Sequence, residues 1–232
     1  MEENKKIGVI TILQVNNYGA ELQAFALCHK LNQLGYNTEI INYLFYKNPG
    51  FKSTKGSQPF IKLDFKQKMK ETLYPYFKKI KSIPYATQKN IRDKKFSDFH
   101  TQYNRLTAPI NTFEKLYKAN LDYDVFLVGS DQVWNPNTNT NIEPYFLTFA
   151  DKSKLKLSYA SSFGVSKIPT IYHEKYRDLI GNLDAIGVRE KTGVSIVKDI
   201  TDKNATWVLD PTLLLPIRRY LMSAIGKVLR RK

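Results

Sequence analysis

The sequence predicts an α/β fold built on a mostly parallel sheet. Three observations point to it. Short, β-branched apolar runs recur along the chain, at KIGVITIL (6–13), NTEIINY (37–43), DYDVFLVGS (122–130), KLKLSYASS (154–162), 185–189 and ATWVLDP (205–211). Stretches with helical spacing of apolar residues lie between several of them. The first three elements read strand, helix of about four turns, strand, which is a βαβ unit with an expected right-handed crossover.

The first run is suited to a buried strand. After the loop QVNNYG, the segment AELQAFALCHKLNQLG places Ala20, Ala24, Leu27, Leu31 and Leu34 on one helical face, widened by Leu22 and Cys28. Gly35 sits where a helix C-cap belongs. Residues 47–120 then break the rhythm. They are rich in Lys and aromatics and punctuated by Pro49, Pro59, Pro75, Pro84 and Pro109, which predicts a mostly helical insertion or lid rather than a separate domain. Beyond it the alternation returns: strands at 122–130 and 154–162, a helix from His173 into a short strand at 185–189, a short helix in TGVSIVKDIT, and a last strand at 205–211. The expected organisation is one α/β domain over 1–216 carrying the insertion at about 47–120, followed by a tail at 217–232.

The formal net charge of +15 is unevenly spread. Residues 47–118 hold 17 Lys/Arg against 5 Asp/Glu, the last sixteen residues hold 6 Lys/Arg and no acid, and the remainder is net −3. In the tail, Ile217, Leu221, Ile225 and Val228 fall on one helical face among Arg and Lys, the pattern of a basic amphipathic helix able to touch an anionic membrane surface. A solvated Lys-rich face is the plainer reading of the basic insertion. No nucleic-acid module signature is present, so no nucleic-acid partner is expected. The single Cys28 excludes an intrachain disulfide and a multi-Cys zinc site. With only His29, His100 and His173, each suited to a surface or satisfied structural role, no metal centre is expected. No apolar run approaches the ~20 residues that span a bilayer, and the N-terminal stretch lacks a signal-peptide cleavage pattern.

In open α/β sheets, ligands bind at the carboxyl ends of the strands. Four strands here end in polar loops. The first loop carries Gln14, Asn16, Asn17, Tyr18 and Gly19 at the start of the first helix, with Gln23 one turn on. Free amides and the helix dipole favour an anion there, and a plain N-cap with a tight turn is the alternative. The second, GSDQVWN, offers Ser130, Asp131, Gln132, Trp134 and Asn135. Asp131 can accept a proton from a sugar hydroxyl and Trp134 can face a sugar ring, while Ser130 and Asp131 also suit capping. The third, SYASSFG, puts Ser161 and Ser162 at a strand end without the elbow of a hydrolase. The fourth, GVREK, ends a strand on Arg189, which suits capture of a carboxylate or phosphate, with a structural pair to Glu190 as the alternative. G-x-G-x-x-G is absent, so a dinucleotide site is not expected.

KIGVITILQVNNYGAELQAFAL, YDVFLVGSDQVWN, KLSYASSFG, GVREKTG and VLDPTLLL occur in this order over about residues 5–215. Together they resemble the polysaccharide pyruvyl transferase family. The resemblance implies a Rossmann-like parallel sheet flanked by helices, corresponding to the N-terminal domain of a GT-B-like pair. It implies transfer of pyruvate as a ketal from phosphoenolpyruvate, a co-substrate rather than a cofactor, to sugar hydroxyls of a cell-surface or capsular glycan. The implied acceptor is a glycan or lipid-linked saccharide, and the implied setting is cytoplasmic, peripheral to the inner membrane face. Of the donor-contacting positions only Arg189 is carried over, with Asp131 as base or acceptor-positioning group. The family pattern continues after VLDPTLLL into a second α/β domain bearing much of the donor pocket, including an R-x-H-type element. PIRRYLMSAIGKVLRRK is too short for one. The expectation is therefore an N-terminal half whose activity alone stays open, with a native basic amphipathic helix or a truncated or shifted reading frame as the origin of the tail. The alternatives are a non-catalytic glycan-binding or degenerate domain, and a GT-B-type glycosyltransferase using a nucleotide-sugar donor.

Overall fold

The computed structural model describes residues 5–49, 51, 86–138 and 141–216. Six parallel strands form one sheet in the order β2-β1-β3-β4-β5-β6, with helices on both faces. In chain order the elements are β1 (Lys6–Ile10), α1 (Tyr18–Gln33), β2 (Asn37–Ile40), α2 (Ala86–Tyr103), α3 (Phe113–Lys118), β3 (Val125–Val128), β4 (Leu155–Ser161), α4 (His173–Gly181), β5 (Ala185–Val188), α5 (Lys191–Ile200) and β6 (Ala205–Trp207). This is the α/β, Rossmann-like architecture the sequence predicts. The basic tail at 217–232 and residues 52–85 of the insertion lie outside the described residues.

The central strands read as continuous apolar runs because both faces are covered. All four residues of β3 are buried. One face of the sheet packs Ile7, Val9, Val125 and Leu127 against Ala24, Leu27 and Cys28 of α1. The helix ends as its glycine requires: Gly35 takes φ +94°, its amide donates to Asn32 O, and the Tyr36 amide reaches back to Leu31 O. That pair of bonds is a Schellman cap. The opposite face buries a larger cluster, with Phe126, Val128, Ile186 and Val188 under Tyr176, Leu179 and Ile180 of α4 and Ile196 and Val197 of α5.

The described part of the insertion continues the sheet edge. Its exit stretch runs parallel to β2, with bridges Ile40–Leu106 and Tyr43–Ile110, and Ile40 N donates to Arg105 O at 2.9 Å. α2 itself lies against α1, where Phe25, Phe99 and Tyr103 form an aromatic cluster with ring centroids 5.0–5.8 Å apart. Strands are shorter than the apolar runs suggest. β3 stops at Val128 because Gly129 turns out of the strand with φ +122°. A Cβ at Gly129 would lie 2.1 Å from the carbonyl oxygen of Tyr159, so only glycine fits the approach of the two chains.

Candidate functional site

All four polar loops emerge from the carboxyl rim of the sheet, from β1, β3, β4 and β5, which are adjacent in that order. Main-chain hydrogen bonds continue past the strand ends and tie the loops together. Ser162 N donates to Asp131 O (2.9 Å), Trp134 N to Ser162 O (3.1 Å), Arg189 N to Ser161 O (3.1 Å) and Val208 N to Val188 O (2.9 Å). Asp131 and Arg189 thus sit two strands apart, about 10 Å at the usual interstrand spacing. The β1 side joins through Thr11, whose hydroxyl donates to Ser130 O (3.0 Å), and through Gln23. Gln23 is 2% exposed; its Oε1 accepts from Ser130 N (2.9 Å) and its Nε2 donates to Thr11 Oγ1 (3.0 Å) and Ala20 O (2.9 Å).

Several predicted contact residues therefore serve as frame. Gln23, Ser130, Ser161 and Ser162 are buried. Ser161 Oγ donates to Val128 O (3.2 Å), and Ser162 Oγ accepts from Gly164 N (3.0 Å). Asn17 is the N-cap of α1, accepting from Gly19 N (2.9 Å) and Ala20 N (3.4 Å), so the capping alternative describes its side chain. The expectation that Trp134 faces a sugar ring is corrected. Its side chain is 0% exposed, stacks on Phe146 at 4.9 Å and donates through Nε1 to Tyr145 O (2.7 Å). A turn residue six positions beyond the end of β3 has no strand periodicity to announce which way it points, and here the larger apolar cluster claims the indole.

What the rim presents outward is a smaller set. Tyr18 is exposed and leans on Phe96 of α2, with centroids 4.9 Å apart. Asn16 Nδ2 donates to Asp93 Oδ1 (2.6 Å). Gln132 Oε1 accepts from Asn135 Nδ2 (3.0 Å), and both amides lie directly over Gly164, where a Cβ would meet them at 2.6–2.7 Å. Asp131 holds φ +80° and accepts from Gln132 N through Oδ1 (2.8 Å). The buried hydroxyls of Ser130 and Tyr145 have no hydrogen-bond partner among the described residues. Burial pushes the Tyr145 phenol far above its ordinary range, and the nearby Tyr43 and Asp131 add to the shift.

Arg189 is half-buried at the β5 exit. Its Nε lies 3.0 Å from Glu190 Oε1 and its Nη1 3.4 Å from Asp210 Oδ2. Burial disfavours the guanidinium, yet its pKa is raised, because the Glu190 hydrogen bond and the charges of Glu190, Asp131 and Asp210 outweigh the desolvation. Both sequence readings of Arg189 meet here: a cation at the rim, and a structural pair with Glu190. Next to it Lys191 Nζ lies over the Trp207 ring, 4.8 Å from its centroid, and Trp207 Nε1 donates to Arg189 O (2.9 Å). Asp210 is a residue that the sequence reading missed. Its position before Pro211 was a usable signal, since Oδ1 caps the 3-10 turn Pro211–Leu214 by accepting from Thr212 N (3.0 Å). A separate cleft of about 410 Å³ opens at the opposite rim, lined by Lys6, Asn37, Glu39, Arg105 and Tyr123. It shares no residue with the four loops.

Among the described residues no helix is long and apolar enough to cross a membrane. No curated protein and no solved structure matches the chain. A family model described as polysaccharide pyruvyl transferase matches residues 17–228, nearly the whole length and every loop beyond the first strand exit. With its motifs gathered on one rim of the parallel sheet, the chain belongs to the polysaccharide pyruvyl transferase family.

Proposed function

We propose that this chain forms the acceptor side of a pyruvyl transfer site, in which the pyruvate unit of phosphoenolpyruvate becomes a ketal on two hydroxyls of a glycan or lipid-linked saccharide. The supporting observation is the ladder of main-chain bonds that holds Asp131, Ser161–Ser162 and Arg189 side by side on one rim. In the overall reaction the enol methylene gains a proton and the two sugar oxygens bond to the former enol carbon. The bond from that carbon to the phosphate oxygen breaks, and the two hydroxyl protons balance the one the methylene gains and the one the departing hydrogen phosphate carries. Asp131 takes a proton from an attacking hydroxyl, and Arg189 steadies the donor's negative charge. Positioned acid–base groups and preorganised charge are the two levers such chemistry needs. Gln132, Asn135 and Asn16 supply hydrogen-bonding groups suited to saccharide hydroxyls. The setting that fits this reading is the cytoplasmic face of a membrane where glycan precursors are assembled, with the basic tail as a peripheral contact. The organisation that fits it is one domain to residue 216 carrying the insertion, followed by the basic tail at 217–232.

Incubation with phosphoenolpyruvate and a β-linked galactose or N-acetylmannosamine acceptor, following phosphate release, tests the reading. Release that falls ~100-fold or more in Asp131→Asn and Arg189→Ala supports it. Release that neither variant changes overturns the assignment of these residues.

One observation favours a second reading, a non-catalytic saccharide-binding domain. The Arg189 guanidinium already faces Glu190 and Asp210, with Asp131 in its field, so the surroundings of the proposed donor anchor carry more negative than positive charge. Calorimetric binding of the saccharide without binding of phosphoenolpyruvate selects this reading over the first.

A further inference from the structure

The loop after β1 is held by α1, by α2 and by the exit of β2. Gln14 and Asn16 adopt φ of 57° and 53°, a left-handed conformation uncommon for residues other than glycine. Gln14 N donates to Glu21 Oε1 (3.2 Å), and its side-chain Nε2 donates to Asn42 Oδ1 (2.9 Å). Asn16 is bound on both sides by α2, through Asp93 and through the Arg92 guanidinium, which donates to the Asn16 carbonyl.

The central link is Glu21. Its side chain lies in the first turn of α1 and the residue is 2% exposed. A carboxylate in that place gains from the helix dipole, but burial penalises it unless it is partnered. One partner is the Gln14 amide. The other is His100 of α2, 6% exposed, whose Nε2 approaches Glu21 Oε2 to 3.0 Å as a close pair that lacks hydrogen-bond alignment, and neither atom has another hydrogen-bond partner among the described residues. The far side of the imidazole is met by Asn104, with Nδ1 3.4 Å from Asn104 Nδ2. A chain of contacts thus runs from Asn104 through His100 and Glu21 to the backbone of Gln14.

We propose that His100 is a positioning residue for this loop: acting through Glu21, it holds the left-handed turns at Gln14 and Asn16 that present Asn16, Asn17 and Tyr18 at the rim. The insertion is then part of the recognition apparatus. The proposal rests on reading the loop as the acceptor side of the site. Its test reads the loop itself rather than turnover, so the two ideas fail separately.

The test is residue-resolved amide hydrogen exchange on the full chain. His100→Leu removes the contact to Glu21, while His100→Gln keeps a donor at similar reach. The expected result is that His100→Leu speeds exchange of Gln14 and its neighbours to Tyr18 by about tenfold or more relative to the β3 amides. His100→Gln restores most of the protection. If His100→Leu does not fold, His100→Asn, too short to reach Glu21, is read in its place and gives the same acceleration confined to the loop. Unchanged exchange at 14–18 in a folded variant, a rise spread evenly over the sheet, or a rise that glutamine does not reverse overturns the proposal.

Discussion

The amide of Ser162 donates to the carbonyl oxygen of Asp131 at 2.9 Å, so the turn after β3 and the exit of β4 stay paired beyond the strands proper. Asp131 is thereby fixed by its backbone, and its carboxylate takes no part in that pairing beyond accepting from Gln132 N through Oδ1 (2.8 Å). Asp131→Asn is expected to leave stability within about 0.5 kcal/mol, as for a partly exposed side chain, while phosphate release falls ~100-fold or more. Paired denaturation and activity measurements check this.

Gly129 makes the turn that brings Asp131 to the rim. With φ +122° and a would-be Cβ 2.1 Å from Tyr159 O, Gly129→Ala combines strain with a backbone clash. The expected loss is about 3 kcal/mol or more, read from a urea midpoint.

Gln23 satisfies three groups at once, and a leucine satisfies none. Gln23→Leu orphans the buried Ser130 amide and is expected to destabilise by about 2 kcal/mol. Saccharide affinity should fall with it, because the β1 and β3 loops are joined through this side chain.

Trp134 separates a core role from a sugar platform. Trp134→Phe keeps the stack on Phe146 but loses the bond to Tyr145 O. It should cost about 1–2 kcal/mol in stability and leave saccharide affinity in calorimetry unchanged.

Cys28 gives a pH prediction. Burial pushes its thiol from 9.0 up to about 12. Between these values the unfolded chain has lost a proton that the folded chain keeps. The thiol's contribution is therefore intact below pH 9 and is lost as pH rises toward about 12. Cys28→Ala should flatten that part of the alkaline stability profile, measured by urea titration across pH. Buried and held neutral, Cys28 should resist a thiol reagent at pH 8 until the protein unfolds.

Much of the architecture was legible because it follows local rules. β-branched runs became strands, Ala24 and Leu27 faced the sheet, and Gly35 closed α1 where its freedom at positive φ was needed. The rim was legible in outline for the same reason, since strand ends were. What stayed hidden depends on partners far apart in sequence. Gln23 meets Ser130 across 107 residues, and Arg189 meets Asp210 across 21. No local pattern distinguishes a glutamine that faces solvent from one that braces a distant turn. His100 read as an incidental histidine because Glu21, its partner, lies on another helix.

The bonds that knit the rim from Asp131 to Val208 run between backbone atoms, and this has an evolutionary consequence. Side chains such as Gln132, Asn135 and Tyr18 can be exchanged without unpicking the platform that carries them. Selection can therefore change the chemistry of this surface by small steps, each retaining a folded intermediate, much as an antibody diversifies its loops over a constant framework.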